Sequence, residues 1–171
     1  MKKNAIIILM ILFFSFSCSE EFKIIRHQNY NSDYYSISSS YIESKVSSMA
    51  DIYYYKIYLS CGYYFNKGEE NYSITVKHLG ITFLNLENAW IEINGNKIGL
   101  KASRLPIQKQ EGTSYLAEIN SFQISEDNFK AILSEPDSRL YLKSGKLIID
   151  VFFEEAIKEK LNQFYKVTKN K

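Results

Sequence analysis

The sequence predicts an α+β fold in which an antiparallel β-sheet or sandwich forms most of the domain and helices pack on it. Three observations predict this class. Aromatic and β-branched residues alternate with polar ones in many short segments between residues 53 and 153. Turn-forming pairs such as Asn-Gly and Ser-Gly separate some of these segments. Helix signals are confined to three places, so the chain lacks the regular alternation of strand and helix that builds parallel sheets.

The chain begins with an export signal. Lys2 and Lys3 provide a positive start, and residues 5–16 are apolar apart from Ser15. This run of 12 residues is too short for a membrane-spanning helix, which needs about 20. We therefore predict that residues 1–17 form a signal peptide that is removed on export.

The residues around the expected cleavage point resemble those of a known class of proteins. Ser17 is the small residue before the cut and Cys18 the residue after it, so residues 15–18 resemble the leader of bacterial lipoproteins. Ser15 stands where most of them have leucine, and the excess of Lys, Asn, Ile, Tyr and Phe is similar to that of spirochaetal, Borrelia-type lipoproteins. The resemblance implies that Cys18 carries lipid and anchors the protein to the cell envelope, with the outer membrane or cell surface favoured over the inner membrane.

An ordinary cleaved signal with an incidental cysteine is the alternative. In that case a disulfide between Cys18 and Cys61 becomes possible. If Cys18 is lipidated, Cys61 has no partner in the chain and is expected to be a small buried apolar residue.

Residues 18–39 are predicted to form the lipidated cysteine and a tether. Ser, Asn and Asp interrupt the apolar residues, and no period of 2 or 3.6 is present. A flexible coil of this length has a root-mean-square reach of roughly 25 Å. Phe22, Ile24 and several tyrosines indicate that part of the tether docks on the domain or on a partner. Residues 40–171 are then a single β-rich globular domain.

The domain is predicted to begin with a short helix over residues 40–51. Ser40 and Glu43 have the spacing of a capping box, and Ile42 and Val46 follow at helical spacing. The tyrosine run that follows is equally compatible with coil or strand.

Strands are expected next. Asn94-Gly95 predicts the clearest hairpin, because Asn-Gly readily adopts the positive φ angles of tight turns. Residues 102–113 are predicted to be an irregular loop containing Arg104 and Pro106. The predicted strands cover residues 52–60, 72–77, 81–86, 89–94, 98–101 and 115–124.

The last third combines a helix, a hairpin and a terminal helix. Ser125 starts a short helix that Pro136 ends. Residues 139–143 and 146–153 are predicted to pair as a hairpin. The final helix, residues 154 to about 167, has acidic residues first and lysines late, which matches the helix dipole.

Composition argues against nucleic acid as a partner. The chain has 21 basic and 19 acidic residues, but Lys2 and Lys3 belong to the leader, which leaves the mature chain neutral. A neutral chain without a long run of like charge has no field that attracts phosphate backbones.

No motif in the sequence predicts a metal, a cofactor or catalysis. His27 and His78 have no second ligand at helical spacing, and phosphate-binding loops and hydrolase signatures are lacking. We therefore predict a non-enzymatic protein. A hydrolase that joins Cys61, His78 and a carboxylate in space is the less favoured alternative.

Tyrosine is the one unusual feature of the composition. Eleven of the fourteen tyrosines lie within residues 30–72, among Ser, Asn and Gly. These residue types are common on recognition surfaces, because Tyr gives a large contact area at low entropic cost. The alternative is that the tyrosines pack in the sheet and reflect genome composition. The predicted partner-binding residues are Tyr30, Tyr34, Tyr35, Tyr54 and Tyr58.

These features together predict a membrane-anchored lipoprotein that binds a protein or a glycan at the cell envelope or surface. The alternative is a structural or assembly component of the periplasmic envelope.

Overall fold

The computed structural model describes residues 22–28, 34–46, 56–66 and 68–170. Over these ranges the chain forms eleven strands and two helices. The strands are β1 (Ile24–Gln28), β2 (Tyr34–Ser39), β3 (Ile42–Ser44), β4 (Lys56–Asn66), β5 (Glu69–Gly80), β6 (Asn88–Ile93), β7 (Asn96–Ala102), β8 (Ile107–Glu111), β9 (Tyr115–Ile124), β10 (Arg139–Ser144) and β11 (Leu147–Phe152). The helices are α1 (Glu126–Ser134) and α2 (Glu155–Lys169).

The three longest strands, β4, β5 and β9, lie side by side and antiparallel. Alternate residues of β4 are buried in the core, namely Ile57, Leu59, Cys61 and Tyr63. Because successive side chains of a strand point to opposite sides of the sheet, the residues between them form a second face. We call this side of β1 to β5, β8 and β9 the outer face.

All neighbouring strands are antiparallel. Their order is β1-β2-β4-β5-β9-β7-β6-β10-β11, with β3 added beside β4 and β8 beside β9. Asn94 and Gly95, with φ angles of 51° and 76°, make the tight turn between β6 and β7. The sheet is therefore built mainly from hairpins and local connections.

The last strand of the sheet, β11, contacts the segment that follows β3. Val46 forms a bridge with Val151 of β11, and the Phe152 N–H donates a hydrogen bond of 3.2 Å to the Lys45 carbonyl. Since β3 pairs with β4, this contact connects the β11 end of the sheet to its central strands. Buried side chains from both halves of the sheet accordingly belong to one core.

The strands β2 and β3 follow the same edge of β4, with a bulge between them. The pairing register shifts by one residue from β2 to β3. Ser39 stabilises the bulge, because its hydroxyl accepts a hydrogen bond of 2.8 Å from the Cys61 N–H and donates one of 3.0 Å to the Ser40 carbonyl.

Both helices pack on the core side of the sheet. Ser125 caps α1, since its hydroxyl accepts a hydrogen bond of 3.3 Å from the Asn128 N–H. The Phe129 ring of α1 stacks on Tyr72 of β5 at 5.3 Å. The Tyr72 hydroxyl lies 2.9 Å from the hydroxyl of Thr168 in α2. Neither helix in the described part of the chain has the length and apolar character needed to cross a membrane.

The structure confirms a mainly antiparallel sheet with an internal and a C-terminal helix. It also confirms the hairpin at Asn94-Gly95, the helix that begins after Ser125, and the pairing of β10 with β11. These elements depend on local signals, namely turn residues, a cap and apolar periodicity.

The predicted N-terminal helix is wrong where the structure describes it. Ile42 and Ser44 are buried and Glu43 between them is exposed, so burial has the period of a strand. The edge of β4 offers unpaired backbone groups to this segment, and pairing with them replaces the helix. Residues 47–51 of that prediction lie outside the described residues.

Two further predictions need correction. Residues 81–87 were expected to contain a strand but form a loop, which side-chain contacts described below hold in place. Residues 102–113 were expected to be irregular but contain β8, because this segment turns back along β9.

Part of the predicted tether belongs to the sheet. Within residues 18–39 the chain forms β1 and β2, and β2 pairs with β4. Ile37 is buried in the core, and this burial accounts for the apolar residues in the segment. Residues 18–21 and 29–33 lie outside the described residues.

Candidate functional site

An open cleft lies on the outer face of the sheet and crosses β1, β2, β4, β5 and β9. Its volume is about 320 Å³. Short hydroxyl-bearing side chains form its floor, because they alternate along neighbouring strands whose registers bring them together. These residues are Ser36, Ser38, Ser60, Ser73, Thr75 and Ser121.

One row of the floor runs straight across three strands. Ser60 of β4 lies opposite Thr75 of β5, which lies opposite Ser121 of β9. The hydroxyl oxygens of Thr75 and Ser121 are 2.8 Å apart and share a hydrogen bond. The row therefore presents several polar atoms at the same depth in the sheet.

Gly62 keeps the middle of the cleft open. A Cβ atom at this position would lie 2.6 Å from the Ser73 hydroxyl oxygen on the neighbouring strand. That oxygen is in turn 3.4 Å from the Tyr64 hydroxyl. The close approach of Ser73 thus favours glycine here, and a larger residue would fill the cleft.

A cluster of charged and aromatic residues borders one side of the cleft. Lys77 pairs with Glu111 at 2.7 Å, and its Nζ atom is 5.6 Å from the Tyr41 ring centroid and 5.8 Å from that of Tyr58. Burial raises the pKa of Tyr41, and the charges of Lys77 and Arg104 partly oppose that rise. The Tyr41 hydroxyl therefore stays protonated at neutral pH and can donate a hydrogen bond.

Arg104 and His27 both line the cleft. Arg104 lies in the loop between β7 and β8. Next to it, the backbone N–H and the hydroxyl of Ser103 both donate to the Ser121 carbonyl, at 2.8 and 3.0 Å. His27 lies on β1, opposite Ser36. The cleft thus combines hydroxyl groups, tyrosines and two basic side chains.

Two of the predicted partner-binding tyrosines, Tyr35 and Tyr58, lie on opposite faces of the sheet. Tyr35 lies on the core side, where it stacks at 5.2 Å on another aromatic ring, whereas Tyr58 lies on the outer face beside the cleft. The backbone of Tyr34 belongs to β2. Tyr30 and Tyr54 lie outside the described residues, as does the predicted lipidation site Cys18. Partner binding by these tyrosines stays a prediction.

Sequence reasoning missed the cleft and two of its tyrosines, Tyr41 and Tyr64. A signal was present in the sequence, since small polar residues repeat with the period of a strand in 36–38, 60–62 and 73–75. That repeat places small residues on one face of each strand.

The residues of the hydrolase alternative lie apart. Cys61 is buried on the core side, and burial raises the pKa of its thiol far above the ordinary value. The residue opposite Cys61 on β5 is Ile74, whereas His78 lies opposite Ile57. The fold therefore does not place the Cys61 thiol beside the His78 imidazole.

His78 instead has a carboxylate as its cross-strand neighbour, Glu118 of β9. Glu118 is fully buried and accepts hydrogen bonds from the backbone N–H groups of Asn85 and Leu86, at 2.7 and 3.0 Å, and from the Asn120 side chain at 3.0 Å. Burial opposes ionisation of Glu118, but its hydrogen bonds, the largest from Leu86 and Asn85, together outweigh burial and lower its pKa. The carboxylate anchors the loop of residues 81–87.

A second, smaller hollow of about 230 Å³ lies between this loop and the turn from β10 to β11. His78 and Ser144 line it. Burial lowers the pKa of His78 to about 4, with Glu118 opposing that fall, so the imidazole is neutral at pH 7. The Ser144 hydroxyl donates to the Leu84 carbonyl. Ser144 and Glu118 thus both hold the loop of residues 81–87.

Within the described ranges, no three His, Cys, Asp or Glu side chains are grouped so that they could hold a metal ion. Comparisons of the chain with family models, characterised proteins and solved structures found no match. The outer-face cleft is therefore the candidate site on its geometry alone.

Proposed function

We propose that the protein is a lipid-anchored, non-enzymatic binding protein of the cell envelope and that the outer-face cleft holds a carbohydrate. The observation that carries this proposal is the cleft itself, which is open on the outer face, floored by hydroxyl groups and bordered by tyrosines. The anchor rests on the lipoprotein-like residues 15–18.

The chemistry of the cleft suits a sugar. Each Ser or Thr hydroxyl donates one hydrogen bond and accepts two, which matches the mixed donor and acceptor character of sugar hydroxyls. Tyr41 and Tyr64 each offer a flat ring and a polar hydroxyl. The volume of about 320 Å³ is near the lower end of ligand pockets, roughly 300–1,000 Å³. A short segment of a saccharide therefore fits better than a large cofactor.

A protein ligand is less well supported by the same cleft. Protein interfaces depend on a few large anchor side chains that fill well-packed apolar pockets. The floor here is mainly Ser, Thr and Gly, with many polar atoms to satisfy. The many hydroxyl groups of a glycan can hydrogen-bond with these polar atoms, so we favour a glycan over a protein.

The test of the cleft uses two matched double variants. Thr75→Val with Ser121→Ala removes a bonded hydroxyl pair from the floor, and removal of both partners is nearly neutral for stability. Thr113→Val with Ser114→Ala removes a similar pair, 3.5 Å apart, from the exposed turn between β8 and β9. Each protein is applied to a panel of immobilised, defined oligosaccharides, after circular dichroism and unfolding midpoints have shown that it is folded.

We expect the parent chain and the turn variant to bind the same glycans and the cleft variant to lose at least tenfold in affinity. Equal binding by both variants would place the ligand elsewhere. Failure of the parent chain to bind any glycan of the panel would overturn carbohydrate binding.

The location is tested by protease digestion of intact cells, with lysed cells as the control. Loss of the domain from intact cells supports display on the cell surface. Survival until lysis supports the alternative of a periplasmic assembly component, because the domain then faces inward.

A further inference from the structure

Arg104 is a charged residue at the edge of the cleft floor, where it can contact a ligand. The contacts of Ser103 with the Ser121 carbonyl fix the start of its loop at the edge of the cleft floor. Arg104 is exposed and lines the cleft, and its charge acts on Tyr41. Its guanidinium group is thus accessible to a ligand that lies on the floor.

The two cations beside the cleft differ in their partners. Lys77 is neutralised by Glu111 at 2.7 Å. In the part of the chain that the structure describes, no carboxylate oxygen lies within 4.0 Å of the Arg104 side chain. Among the described residues, the Arg104 charge therefore has no ion-pair partner at the cleft.

A guanidinium group is well suited to bind an anion with several oxygens. Its planar set of N–H donors binds carboxylate and sulfate groups with two parallel hydrogen bonds, and it is always charged. The hydroxyls of Ser60 and Thr75 lie in the same cleft and can donate to remaining oxygens of an anion. His27 also lines the cleft, and its ring N–H can donate a hydrogen bond.

We infer that the cleft selects an acidic carbohydrate, in which Arg104 binds a carboxylate or sulfate group while the hydroxyl floor binds the ring. This inference rests on the proposed function. It adds the chemical class of the sugar and names the residue that determines it.

The experiment titrates the full chain in detergent with glucuronate, glucose 6-sulfate, glucose and inorganic sulfate, and follows binding by NMR or calorimetry. Arg104→Gln removes the charge at the cleft. Lys146→Gln makes the same charge change in the exposed turn between β10 and β11 and serves as the control.

We expect glucuronate, glucose 6-sulfate or both to bind at least tenfold more tightly than glucose. Arg104→Gln should abolish this preference, while Lys146→Gln should preserve it. The relative affinities of the two acidic sugars identify the anionic group as carboxylate or sulfate. Higher salt should weaken the acidic sugars more than glucose.

Three results would overturn the reasoning at different points. Equal binding of neutral and acidic sugars would refute the inference and leave the proposed function standing. Binding of inorganic sulfate alone, lost in Arg104→Gln, would refute carbohydrate binding and leave an anion site. Failure of all four compounds to bind would refute both.

Discussion

Replacement of Glu118 tests whether one buried carboxylate holds the loop of residues 81–87 on the sheet. Glu118→Ala removes the acceptor for two backbone N–H groups and for the Asn120 side chain. A buried donor left without a partner costs about 1–3 kcal/mol. Some relaxation of the loop reduces the sum, so we expect the free energy of unfolding to fall by about 3–5 kcal/mol. That is a large part of the roughly 5–15 kcal/mol that typical domains have.

The same residue should contribute to acid sensitivity. The pKa of Glu118 is lowered in the folded protein, so its ionised form stabilises the fold above the ordinary value of 4.5. This contribution is lost as the pH falls through the lowered folded-state pKa. Glu118→Gln has no such charge, and its free energy of unfolding should therefore depend less on pH below about 4.5.

The measurement is urea unfolding followed by circular dichroism at pH 7 and in the acid range, with Glu159→Gln on the exposed side of α2 as the control. Hydrogen exchange of the Asn85 and Leu86 amides reports the anchor directly, because these amides donate to Glu118. A loss below 1 kcal/mol in Glu118→Ala, or unchanged protection of both amides, would refute the anchoring role.

Five further substitutions test packing and capping by urea unfolding. Gly62→Ala should clash with the Ser73 hydroxyl, and Ser73→Ala should relieve the clash, which gives a coupling of about 1–2 kcal/mol between the two changes. Tyr72→Phe should cost about 1–2 kcal/mol, because it leaves the buried Thr168 hydroxyl with one partner fewer. Ser125→Ala should cost about 1 kcal/mol, whereas Ser125→Asp should retain the cap.

Each of these expectations has a contrary outcome. If the effects of Gly62→Ala and Ser73→Ala on the free energy of unfolding are additive, the alanine at position 62 does not clash with the Ser73 hydroxyl. A Tyr72→Phe variant as stable as the parent would make the link between β5 and α2 dispensable. Equal losses in the Ala and Asp variants at Ser125 would argue against hydrogen-bond capping.

The sequence allowed prediction of the elements that local chemistry determines. Asn94-Gly95 and the Ser125 cap act on their immediate neighbours, so the hairpin and the helix were recognisable. Ser40 and Glu43 have the spacing of a helix start, yet this segment pairs with β4, which is distant in sequence. A tertiary pairing of that kind overrides a local capping signal.

The repeat of small residues was visible in the sequence, but its assembly into a cleft could not be predicted, because that depends on the register between strands. Ser60, Thr75 and Ser121 come from three strands, and only the pairing of those strands brings them into one row. A shift of one residue would move each side chain to the other face. Register also places two of the predicted partner-binding tyrosines, Tyr35 and Tyr58, on opposite faces. Partner binding by the predicted set stays a prediction.

The position of β1 limits how far the domain can stand from a membrane. The first strand begins at Ile24, only six residues after Cys18. If Cys18 carries lipid as proposed, the link spans at most about 20 Å even when fully extended. The domain would then lie close to the lipid headgroups, without a long flexible linker between them. A polymeric ligand would reach the cleft most easily by lying along the cell surface. There, neighbouring anchored copies of the protein could bind the same polymer chain at several points.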